Sequence, residues 1–217
     1  TFTLTDDTAI TLEYLQGSGE GNADDIAVGS VLEVVLDEDN QAVSVTVRNL
    51  NAGGGFGGSG EVTNGTSANT ITEDTEVDSE TYTSTGDDEN ALRVDGATVT
   101  LKDITIEKTA GSSSNTEDGD FYGLNAGLLV LNGATATITG ATVNTSVTNG
   151  NGVFSYGEGT VVNISDSTIR TTENNSGGIQ TTGGGTMNAA NLDVETQGNS
   201  AAAIRSDRGG GTVKVDG

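Results

Sequence analysis

The chain has no cysteine and no histidine among its 217 residues, which excludes disulfides, thiolate or histidine-based zinc sites, and the Ser-His-Asp and Cys-His nucleophilic systems. Basic residues are scarce: 8 Lys and Arg stand against 32 Asp and Glu, for a net charge of -24. A field of that sign repels phosphate backbones and anionic membrane surfaces, which argues against nucleic acid and leaves cations, basic surfaces and neutral glycans as partners. No apolar run approaches the roughly 18 residues of a membrane span, and the residues after Thr1 lack the basic-then-apolar pattern of a signal segment. Apolar residues make up only 32%, low for a domain built around one thick core.

A narrow core repeated many times escapes that limit, and the sequence contains one. Short strand-like pairs return at Val99-Leu101, Ala136-Ile138, Val162-Ile164, Met187-Ala189 and Val213-Val215. The second members are spaced 37, 26, 25 and 26 residues apart, and the first spacing becomes regular if a surface insertion lies near Gly111 to Asp120. A period of about 25 residues made of short β-segments marks a solenoid, each turn burying its apolar face against its neighbours. Phased Val, Ile and Leu also separate the chain from a disordered acidic one. Residues 61–217 are therefore predicted to form a right-handed parallel β-helix, with regular rungs at about 90–123, 124–150, 151–175, 176–199 and 200–217, after a first irregular rung from Thr70 to Thr85.

Each rung opens with a small and an apolar residue, such as Gly127-Leu128 or Gly178-Ile179, and the inward pair follows about ten residues later. Two positions after that pair comes Asp103, Gly140, Asp166 or Asn191. Asp, Asn and Gly tolerate left-handed backbone angles, so this column reads as a stacked turn, after which Ile104-Ile106, Val143, Ile169 and Leu192-Val194 point inward again. Residues in between, among them Thr98, Thr100, Thr137 and Thr168, are expected to face water.

Residues 1–50 follow another rhythm. Phe2 and Leu4, Ile10 and Leu12, Val31 to Leu36 and Val43 to Val47 alternate as half-buried strands do, with reversals expected at Asp6-Asp7, Gly17 to Asn22 and Asp37 to Asn40. This predicts a small antiparallel β module, followed by a flexible Gly-rich linker at 51–60, NAGGGFGGSG. At the other end Thr212 to Gly217 matches the opening of a rung, so further rungs, or another subunit, are expected to cover that edge.

The stretches DGDFYGLNAGLLVLNGATATITGATVNT, GVFSYGEGTVVNISDSTIRTT and SAAAIRSDRGGGTVKVDG resemble the repeats of large adhesin-like parallel β-helix proteins exported by bacteria and archaea. The run from Val28-Gly29 to Leu36 with its acidic turn weakly resembles small all-β modules of secreted bacterial proteins. The first resemblance implies an extracellular or cell-surface location and supplies no catalytic motif.

Among the chemistry-bearing residues, Phe121-Tyr122 and Phe154-Tyr156 are aromatics at successive rung openings, suited either to stacking against a glycan or to packing the insertion. Arg205, Asp207 and Arg208 form the one cluster containing basic residues, read either as ligand-binding or as a loop ion network. Glu117, Asp118 and Asp120 offer carboxylates to Ca2+, which takes about six to eight oxygens, but their spacing fits neither an EF-hand nor a Gly-rich nonapeptide, so a solvated acidic loop is the plainer reading. No residue is assigned a catalytic role and no cofactor is required. The expected function is that of a non-enzymatic adhesin-like or structural segment; the alternatives are a Ca2+-assisted carbohydrate-active enzyme of the polysaccharide lyase type, using Arg205 or Arg208, and a self-assembling fibre or surface-layer subunit.

Overall fold

The computed structural model describes residues 3–5, 8–14, 17–23, 26, 31–37, 39–48 and 62–217. The linker at 51–60, Phe2, the Asp6-Asp7 turn and Val28-Gly29 lie outside the described residues. The chain divides into two compact units, Thr1–Gly58 and Ser59–Gly217.

In the first unit, β1 (Ala9–Tyr14), β2 (Gly17–Glu20), β3 (Val31–Leu36) and β4 (Ala42–Arg48) form one sheet in the order β2-β1-β4-β3. Both outer pairs are antiparallel, while β1 and β4 pair in parallel across the middle. The acidic turn lies where the alternation puts it: Asp37 accepts from the backbone N-H of Asp39 and Gln41 through one oxygen, and Asn40 takes a left-handed φ of 59°. Gly17 to Asn22, expected to be a reversal, begins instead with strand β2; on the edge of a sheet glycine lacks cross-strand packing but still contributes its ladder hydrogen bonds. Ala42, Val45 and Val47 are buried, with Leu4, Ile10, Leu12, Ile26, Leu32 and Val34 packed against them.

The second unit is a parallel β-solenoid of three long sheets. The first sheet stacks Thr70–Ile71, Leu92–Asp95, Leu128–Leu131, Val153–Tyr156, Ile179–Thr182 and Ile204–Ser206. The second stacks Thr75–Asp78, Thr98–Lys102, Thr135–Thr139, Val161–Ser165, Thr186–Ala190 and Thr212–Asp216. The third stacks Thr81–Ser84, Thr105–Lys108, Thr142–Thr145, Thr168–Thr171 and Asp193–Thr196. Val77, Leu101, Ile138, Ile164, Ala189 and Val215 form one aligned column, so the spacing read from the sequence is the strand register. The segment from 70 to 84, expected to be irregular, keeps that register with parallel pairs to the following rung.

Inside the solenoid, Leu92, Val94, Leu101, Ile106, Leu128 and Ile138 belong to one continuous buried cluster. Burying an aliphatic side chain of this kind contributes about 1.5–3 kcal/mol, so stability is spread over the stack. The turn after the second sheet is a left-handed column of Ser79, Asp103, Gly140, Asp166, Asn191 and Gly217, with φ between 50° and 87°. Small residues at rung openings have a steric origin: a Cβ on Gly178 would lie 2.3 Å from Val194 Cγ1 and 2.5 Å from the Ala203 carbonyl oxygen.

Candidate functional site

The insertion between the third strand of one rung and the first strand of the next contains a helix, α1 (Thr116–Tyr122). Asn115 caps its N-terminus by accepting from the backbone N-H of Glu117 and Asp118, and Gly123 ends it in a left-handed conformation with φ 77°. Seven residues make a helix too short to stand alone, so its stability has to come from what it touches.

It touches the outer face of the first sheet and the turns beside it. Asn149 donates to the Thr116 carbonyl at 3.4 Å, Asn151 to Gly119 at 3.1 Å, Thr182 to Phe121 at 2.7 Å, and Gln180 to Asp120. At the C-terminal end Asn90 donates to the Gly123 carbonyl at 2.8 Å, and Asn64 to that of Tyr122. Side chains from several rungs thus take up carbonyls that a helix end leaves without partners. Beneath α1, Ala126, Leu129, Leu131 and Phe154 form a second apolar cluster with Tyr156 packed against it. The expectation that in-between side chains face water therefore fails on the first sheet. Its outward residues at 128–131, 153–156 and 179–182 are covered by the chain's own insertion.

Residues singled out in the sequence converge here. The Arg208 guanidinium lies 3.7 Å from the centre of the Phe121 ring, and its Nη2 is 2.8 Å from Glu117 Oε2. Arg205 is 5.5 Å from the same ring, forms a 2.6 Å pair with Asp207 and stands 3.9 Å from Asp120. Tyr122 and Tyr156 meet edge to face at 5.6 Å. Phe154 is fully buried and Phe121 nearly so, which leaves Phe154 no face for a sugar; these rings pack the insertion.

The acidic stretch is not a solvated loop: Asp118 and Asp120 are 6% and 8% exposed, because the helix is covered on more than one side, Asp118 lying by Thr63 and Asp88 and Asp120 against Asn149 and Asn175. Burial pushes the Asp120 carboxyl above its ordinary range, while Asn175, Arg205 and Asn149 pull it back; Asp118 is likewise raised, mainly by burial. Asp120 accepts from Asn149 Nδ2 at 3.0 Å on one oxygen and from Asn175 Nδ2 at 3.1 Å on the other. Glu117 is committed to Arg208, so the three carboxylates have different partners, and no group of three or more acidic residues among the described ones is arranged to hold a metal ion. The chemistry on view is ion pairing, amide-to-carbonyl bonding and ring packing.

Lys108, one of the 8 basic residues, lies outside the cluster that the sequence singles out. Lys108 is 0% exposed. It occupies an inward column with Ser84, Thr145, Thr171 and Thr196, and its ammonium donates to the carbonyls of Gly86 at 2.5 Å and Ala110 at 2.8 Å and to Ser84 Oγ at 3.2 Å. Burial lowers its pKa, opposed by the charges of Glu89, Asp87 and Asp88. The signal was present: Lys108 has the parity of Ile106 in a strand where alternate residues point inward. Asn149, Asn151, Gln180 and Thr182 gave no such sign, because their role depends on where the insertion folds.

Compared with family models, with curated proteins and with solved structures, the chain finds no match in any of the three.

Proposed function

We propose that this chain is a non-catalytic, adhesin-like structural segment of the cell surface or extracellular space, whose solenoid carries a polar outer face away from its attachment. The observation that supports this reading is the use made of its charged cluster. Arg205 and Arg208, the basic residues that an enzyme of the lyase type would need free, are bound to Asp207, Asp120 and Glu117 and lie over Phe121, where they hold α1 on the sheet. A test is the release of unsaturated sugar from polygalacturonate and alginate with Ca2+ present. No release is expected; turnover that disappears in Arg208→Ala would replace the structural reading with the enzymatic one.

A further inference from the structure

The second sheet has an outer face that the insertion does not cover. Two outward columns run along it in register. One contains Thr100, Thr137, Asn163, Asn188 and Lys214; the other contains Lys102, Thr139, Ser165, Ala190 and Asp216. In the second column the side chains shrink from Lys102 through Thr139 and Ser165 to the methyl group of Ala190, and then Asp216 closes the row. The result is a trough of about 350 Å3 lined by Thr137, Asn163, Ser165, Asn188, Ala190 and Lys214, with Asp216 at its end. Its size falls in the range of small-ligand sites, about 300–1,000 Å3.

We infer that this trough binds a linear, neutral glycan lying along the solenoid axis, an inference that rests on the reading of the segment as a non-catalytic surface scaffold. Three properties select that ligand. The first is spacing: neighbouring strands lie ~4.8 Å apart, so an extended sugar chain with a similar rise along the axis places one ring per rung, with alternate rings presenting alternate faces. The second is lining. Asn188 Nδ2 donates to Asn163 Oδ1 at 2.8 Å, which leaves Asn188 Oδ1 as an acceptor and Asn163 Nδ2 as a donor outside that bond. Thr137 and Lys214 flank the two amides in their column and Ala190 lies in the next one, so methyl groups and the Lys214 stem border the amides. A pyranose presents the same combination, hydroxyls at its rim and C-H groups on its face. The third is charge: at -24 the protein disfavours polyanionic glycans, and the trough itself carries one Lys214 and one Asp216, a balance that favours a neutral chain.

The experiment is a titration of the protein with cellohexaose, followed through the side-chain amide signals of Asn163 and Asn188 in 1H-15N spectra, with hexagalacturonate as the anionic comparison. Cellohexaose is expected to shift both amide pairs, hexagalacturonate to shift them at least tenfold less, and Ala190→Leu to abolish the shift by filling the trough while leaving the melting temperature unchanged. Should Ala190→Leu disturb folding, Asn188→Ala serves in its place, with the Asn163 amide as readout. No shift with cellohexaose, an equal response to hexagalacturonate, or a response unaffected by the variant that folds would overturn the inference. Such a failure is distinct from failure of the scaffold reading, which is decided by polysaccharide turnover.

Discussion

At the scale of single residues, the narrowness of the interior decides what a substitution does. Ile138 has Leu101 and Ile164 as its neighbours in the column, and all three are buried. Ile138→Asp places a charge where no partner or water can reach it, and a loss of ~4 kcal/mol is expected in urea unfolding; Ile138→Val should cost only about 1 kcal/mol. Asp120 makes a prediction about pH. Its folded pKa is raised by burial above the usual 3.8, so the fold favours the protonated acid. The stabilisation this adds is complete below the unfolded value and is lost as pH rises through the raised one. Asp120→Asn removes that term, so the unfolding free energy of the variant relative to the wild type should increase as pH rises above the usual carboxyl range; a pH-independent difference would show that the carboxyl does not titrate differently in the fold. For Lys108, whose ammonium bonds two carbonyls and a hydroxyl in the interior, Lys108→Ala leaves those carbonyls unpaired and opens a void. A loss of about 2–3 kcal/mol is expected by the same urea measurement.

At the scale of elements, α1 is separable from the solenoid that it covers. Replacing residues 112–122 by a short Gly-Ser link should leave the β circular dichroism intact, since no ladder pair runs through α1. It should expose Leu129, Leu131 and Phe154 and so raise the fluorescence of a hydrophobic dye; loss of the β signal would mean that α1 is required for folding. The same contrast explains what was legible in the sequence. The ladders were, because their signal is local and repeated: every rung shows the parity of its inward pair, and Asp103, Gly140, Asp166 and Asn191 announce the turn by chemistry. The helix was not. Seven residues carry little helical signal, and the groups that hold it, Asn151 and Thr182, sit 32 and 61 residues from the carbonyls they bind. The aromatic pairs and the Arg205-Asp207-Arg208 cluster were each legible, packing of the insertion by the aromatics included, but that the two meet around Phe121 depended on that fold-back.

At the scale of the whole solenoid, stability comes from stacking: inward residues of the middle rungs are fully buried, as at Ile138 and Ile169. In a stack whose rungs rest mainly on their neighbours, amide exchange should be slow and similar at 128–145 and 153–171, with mass spectrometry as the check; rapid exchange in one of these stretches would mean that it opens apart from the other. The contacts of α1 run against this nearest-neighbour pattern. From α1, Tyr122 takes a hydrogen bond from Asn64, ahead of the first full rung, and Glu117 pairs with Arg208 on the last. The helix therefore acts as a gauge of copy number. Duplicating residues 151–175 would lengthen the ladders without a misfit at any strand, yet it would move Arg208 by ~4.8 Å and carry it out of reach of Glu117. A rung added after Arg208 would pass unnoticed. Extension of this solenoid is free in one stretch of the chain and metered in the other, and a seven-residue helix sets the boundary.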